Sequence, residues 1–168
     1  MGVGQAQPAV AGDQDEAPEA ASGARGLDTP RVTRTHAVLL GAAMIVAAAD
    51  LAQKQLAISE RGGAVLAHDR SALYVTGVAG ASIVWAWAVS LTRSSSIAFA
   101  GGVVLGGAAG NLVSIALWPS LRGVPDPIVS GSVAFNLADV AVGVGFVLLL
   151  PATGLFAYRN RERLFEPI

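Results

Sequence analysis

The sequence predicts an all-α membrane protein: a four-transmembrane-helix bundle with both termini cytoplasmic and a disordered N-terminal tail. Three observations lead there. Of 168 residues, 53% are apolar and only 14% are Asp, Glu, Lys or Arg, whereas a soluble domain carries about a quarter charged residues. Four apolar stretches follow one another, each of the roughly 20 residues a helix needs to cross about 30 Å of hydrocarbon. Arginines crowd onto one side of the bundle these stretches would form.

In chain order, residues 1–34 are rich in Gly, Ala, Pro, Gln and acids, with almost no large apolar side chains. Such a segment buries too little surface to offset its ordering entropy, so it is expected to be a disordered tail. It does not read as a secretory signal peptide, because the apolar stretch starts too late and runs too long. A single membrane domain over 35–160 follows, then a short cytoplasmic tail over 161–168. The expected spans are 36–59, 72–92, 96–118 and 132–158. Their linkers, at 60–63, 93–96 and 119–131, contain the Gly, Pro and Ser clusters of turns. Backbone groups cannot stay unpaired in lipid, so these spans should be helices, and no alternating pattern suggests a barrel. Pro151 should loosen the fourth span near its cytoplasmic end. Arg25, Arg31, Arg34, Arg93, Arg159, Arg161 and Arg163 fall on the side of the termini, against Arg61, Arg70 and Arg122 opposite. By the positive-inside rule, the first and third loops then lie outside.

Composition also excludes. A net charge of −1 offers no basic stripe for nucleic acid. Without cysteine there is no disulfide, thiol chemistry or Cys-held zinc. Two distant histidines, His36 and His68, do not suggest a metal site, and His68, beside Asp69 and Arg70, reads as solvated. No cofactor is expected. Gly102, Gly106 and Gly110 recur every four residues, a ridge that permits close helix approach, and packing within one chain, hence a monomer, is the favoured reading.

The polar residues inside the spans carry the functional signal. Asp139 interrupts the apolar run 132–156, and an ionisable group in hydrocarbon costs several kcal/mol and persists mainly where it works. It lies seven residues in from Ser132, about 10 Å below the outer end of the span. Asn111 lies seven residues before Trp118, also about 10 Å deep, and Asp50 nine before Ser59, near 13 Å. Three spans therefore bring polar groups to one level. Asn136 and Asp139 share a helical face. Asp50 and Lys54, four apart, can pair, with a structural ion pair and a snorkelling Lys54 the favoured reading. Asn111 alone would more often join helices than serve a site. Asp126, in the stiff Val124-Pro125-Asp126-Pro127 turn, is close enough to the fourth span for its carboxyl to approach Asp139. Two carboxyls in a low-dielectric cleft share a proton, which is what aspartic peptidase chemistry requires.

These residues resemble signal peptidase II, the bacterial lipoprotein signal peptidase family. Asp50-Leu51-Ala52-Gln53-Lys54 fits its Asp-x-x-x-Lys. Residues 106–112 fit Gly-Gly-Ala-x-Gly-Asn-Leu, and residues 135–139 fit Phe-Asn-x-Ala-Asp. Leu121-Arg122-Gly123 resembles the lead-in to the first catalytic Asp of actinobacterial members. The resemblance spans roughly 36–158. It implies an aspartic endopeptidase of the cell membrane that cuts prolipoproteins before a diacylglyceryl-modified cysteine. Asp126 and Asp139 would be the dyad, Asn111 and Asn136 would orient them or the substrate, and Asp50 with Lys54 would support the site. The implied partners are a lipid-modified prolipoprotein and membrane lipid. Three features depart from the family. Ser114 and Ile115 stand where it has Asp-Arg, Asp126 sits in Pro-Asp-Pro instead of Val-Asp-Phe, and the outer loop 60–71 lacks the residues of its β-rich cradle. An inactive relative that binds lipoprotein or lipid without cleavage is therefore the rival. A small channel or transporter subunit is weaker, since the second span has no ionisable residue.

Overall fold

A computed structural model describes residues 1–2, 29–61 and 65–164. Most of the tail expected over 1–34 lies outside them. The elements are helix α1 (Thr29–Glu60), strand β1 (Ala67–His68), helices α2 (Ala72–Leu91) and α3 (Ser95–Leu117), a 3-10 turn (Pro119–Leu121), strands β2 (Val124–Pro125), β3 (Ile128–Ser130) and β4 (Val133–Phe135), helix α4 (Leu137–Arg159) and a final turn α5 (Arg161–Leu164). Four helices are long and apolar enough to cross a membrane: Arg34–Glu60, Ala72–Leu91, Ser95–Leu117 and Leu137–Arg159.

Side-chain caps mark where these helices begin. Ser71 accepts the Tyr74 amide at 3.2 Å at the start of α2, and Ser94 accepts that of Ile97 at 3.5 Å at the start of α3. Each satisfies one of the amides that a helix N-terminus leaves without a partner.

Helix α3 is the axis of the bundle, packing on α1, α4 and α2. Its glycines make this possible. A Cβ on Gly102 or Gly106 would run into the Leu39 or Ala43 carbonyl of α1, and one on Gly107 into the Ala138 carbonyl of α4. The Gly102–Gly106–Gly110 ridge thus packs against α1 of its own chain, as small-residue ridges allow. Leu39, Val89, Ile97 and Ala98 form a buried cluster at the arginine-rich end, with Phe156 against it. Trp85 donates its indole N–H to the Gly101 carbonyl at 3.1 Å and meets Phe146 edge-on at 5.7 Å. Large side chains such as Leu73, Ile83, Trp87, Val147 and Leu150 point outward. In water that would be a liability; in lipid it costs nothing.

Three differences from expectation concern short strands and the starts of two helices. The fold is not purely helical: β1 pairs antiparallel with β2 (His68 opposite Val124), and β3 with β4 (Ile128 opposite Phe135). Strands of two or three residues are too short for period-two patterning to show. Helix α4 starts at Leu137, not 132, because residues 133–135 pair with β3 through a turn in which Gly131 takes φ 60°. Helix α1 begins at Thr29, ahead of residue 36. Pro151 lies inside α4, which runs on to Arg159, in line with the expected end of the fourth span.

Candidate active site

The site lies where α1, α3 and the start of α4 meet the short strands. Asp126 follows β2 directly, and its amide donates to the Leu66 carbonyl at 2.8 Å. Arg61, just past α1, donates to the Pro127 carbonyl at 3.1 Å. These bonds fold the Pro-Asp-Pro turn inward, leaving Asp126 only 2% exposed. Gly123 is required here, since a Cβ would collide with the His68 carbonyl across the strand pair.

Asp139 is in the first turn of α4, not about 10 Å below the start of the helix. Asn136 is the N-cap, and the two form a capping box. The Asp139 amide donates to Asn136 Oδ1 at 3.0 Å, and the Asn136 amide returns a bond to Asp139 Oδ2 at 3.2 Å. The expectation that Asn136 and Asp139 share a helical face is thus replaced by a reciprocal cap.

The Asn136 side chain does more than cap. A backbone amide can only donate, so Oδ1 must face Asp139 N, and Nδ2 is forced to point away. It points at Asp126 and donates to Oδ1 at 2.6 Å. One fully buried asparagine thereby bonds to both aspartates.

The same logic orients Asn111. An ammonium has three donors and no acceptor, so Lys54 Nζ selects Asn111 Oδ1, at 2.9 Å. Asn111 Nδ2 is then left to donate to Asp139 Oδ1, at 3.0 Å. Lys54 does not snorkel: it and Asp50 are fully buried, 2.7 Å apart. The other Asp50 oxygen accepts the Ala138 amide at 2.9 Å, binding α1 to the N-terminus of α4, where negative charge is favourable. Gly110 leaves room for that carboxylate, because a Cβ there would meet Asp50 Oδ2.

All six residues singled out in the sequence thus fall in one hydrogen-bonded network. Three further contributors were missed. His68, expected to be solvated, bonds through Nδ1 to Asp126 Oδ2 while the rest of its ring stays half exposed. Gln53 accepts the Leu137 amide at 3.2 Å, a second cap from α1. Ser114, buried, donates to the Asn111 carbonyl at 2.8 Å and receives Lys54 Nζ at 3.4 Å. Gln53 lies inside the Asp-x-x-x-Lys run, so helical spacing places it near the site; no local signal marks His68.

Beside the network is an apolar cavity of about 370 Å³ between α2, α3 and α4, with Tyr74, Trp85, Leu105 and Phe146 in its walls. Asn111 and Asp139 are its polar residues, apart from Ser82 and the Tyr74 hydroxyl. The Arg70 guanidinium sits 4.7 Å over the Tyr74 ring. Among the described residues, no group of three His, Cys, Asp or Glu could hold a metal ion.

No curated protein and no solved structure matches the chain. The family model described as Signal peptidase (SPase) II matches residues 56–155. That match takes in the Gly-Asn-Leu, Asp126 and Asn-x-Ala-Asp segments but begins after Asp50 and Lys54. It covers more than half of the 168 residues, and with four helices able to span a membrane the chain belongs to the signal peptidase II family, as a multi-pass membrane protein.

Proposed function

We propose that this protein is an intramembrane aspartic endopeptidase of the plasma membrane, cleaving prolipoproteins ahead of a diacylglyceryl-modified cysteine. The carrying observation is Asn136, whose amide and cap join Asp126 and Asp139 beside an apolar cavity. This chemistry needs one proton on the pair. Its ionised member takes a proton from a water molecule as the water oxygen attacks the scissile carbonyl. Its protonated member hands a proton to the carbonyl oxygen, giving a gem-diol. Return of a proton to the amide nitrogen lets the C–N bond break. Asn111 and Asn136 hold the carboxylates; Asp50, Lys54 and Ser114 hold Asn111 and the start of α4. The cavity takes an acyl chain or signal-peptide side chains, which enter between helices from the lipid, and both termini are cytoplasmic.

The rival reading, a relative that binds without cutting, draws on Ser114 and Ile115 in place of Asp-Arg. Against it, Ser114 is itself hydrogen-bonded into the network under Asn111. Cells depleted of their main lipoprotein signal peptidase separate the two. Wild-type protein should restore processing of a lipidated precursor, and Asp139→Asn should abolish it while still inserting in the membrane. Undiminished processing by that variant, or no rescue by the wild type, would refute the peptidase assignment.

A further inference from the structure

Two cavities at the other end of the bundle are not used by this chemistry. Asp139 and Arg159 are 20 residues apart on α4, so about 30 Å of helix separates them. At the Arg159 end, a cavity of about 690 Å³ lies between the α2–α3 turn and the end of α4. Arg93 and Arg159 line it, with Ser95, Ser96 and Asn160 between them. Among the described residues, neither guanidinium makes an ion pair, and the Ser95 and Ser96 hydroxyls have no hydrogen-bond partner. Arg93 stands in the turn at φ 50°, a conformation that suits glycine better, so the turn carries a cation where sterics favour no side chain.

The second cavity, of about 470 Å³, adjoins the first and shares Ser95, Ser96, Ala152 and Leu155 with it. Its remaining walls are apolar, Phe99, Leu148 and Pro151 among them. Two unpaired guanidiniums at the mouth of a greasy groove between α3 and α4 are complementary to one kind of molecule. It must carry an anionic phosphodiester for the arginines and an acyl chain for the groove. Arginine matches phosphate oxygens with paired N–H donors, and basic pockets between membrane helices recognise anionic headgroups in this way.

We infer that this face is a binding site for an anionic glycerophospholipid, its phosphate between Arg93 and Arg159 and one acyl chain along the α3–α4 groove. Lipid held there braces the end of α4 opposite the carboxylates.

The test uses the full chain, delipidated in neutral detergent and titrated with dioleoyl phosphatidylglycerol or dioleoyl phosphatidylcholine, with occupancy counted by native mass spectrometry. Phosphatidylglycerol should bind at least tenfold tighter than phosphatidylcholine. Arg93→Gln with Arg159→Gln should bring it down to the phosphatidylcholine level. Leu155→Glu should do the same with both arginines present, since Leu155 is 43% exposed and the new carboxylate pairs with Arg159 and repels phosphate; this second variant keeps the test open if the first fails to fold. Glycerol phosphate, having the anion without acyl chains, should not compete. Equal binding of the two lipids, or retention of phosphatidylglycerol by either folded variant, would overturn the proposal. Competition by glycerol phosphate at matched concentration would too, making this a site for free anions. So would binding that appears only when residues 3–28 are deleted, since the acidic tail would then be the occupant.

Discussion

Replacing Lys54 by methionine tests the network at its centre. The substitution keeps length and apolar stem but removes the ammonium that lies 2.7 Å from Asp50, with both side chains fully buried. Breaking a buried pair from one side typically costs about 3–5 kcal/mol, because the remaining charge keeps its desolvation penalty without its partner. Asn111 Oδ1 and Ser114 Oγ also lose their donor, so the upper part of that range is expected. At about 2–4 °C per kcal/mol for a chain of this length, Lys54→Met should lower the melting temperature in detergent by about 8–20 °C. Adding Asp50→Asn removes the orphaned charge while leaving an oxygen to accept the Ala138 amide. The double variant should therefore recover at least half of the lost stability. It should not recover activity, because Asn111 Oδ1 then lacks the ammonium that anchors the amide against Asp139. Thermal unfolding followed by tryptophan fluorescence, with precursor cleavage measured below the transition, reads both effects. If the double variant loses as much as the two single ones together, Asp50 and Lys54 do not act as a pair and the argument for Asn111 orientation fails with it.

Removing either partner of Asp126 separates positioning from folding. Asn136→Ala should lower kcat by about 100-fold, as loss of an oriented donor does, and stability by about 1 kcal/mol as loss of an N-cap. His68→Ala should lower kcat with little change in melting temperature, since the ring is half exposed; unchanged kcat in both variants would remove Asp126 from the site. Ala108→Phe narrows the cavity of about 370 Å³ next to Asn111. It should raise KM for a lipidated precursor more than it lowers kcat, and an unaltered KM would mean that the substrate lies elsewhere.

Much of this protein is legible along the chain because hydrocarbon is an exacting solvent. Long, mainly apolar runs with no alternating pattern satisfy their backbone in lipid only as helices, so the four spans and their order follow from composition and length. The same exclusion makes Asp50, Asn111 and Asp139 conspicuous, since a polar group in such a run needs a reason to be there. What sequence could not supply is the meeting of segments far apart in the chain. His68 reaches Asp126 only because β1 pairs with β2, two residues with two, across a separation of more than fifty. The start of α4 is not legible in the sequence because Asn136 caps it in competition with a strand, and local patterning does not show which wins. The amide orientations of Asn111 and Asn136 come from their neighbours being pure donors, a property of contacts in space. Sequence alone determined which residues had to avoid lipid; only tertiary packing decided which of them face one another, since that depends on glycine-lined helix contacts and a short strand pair that no window of sequence contains.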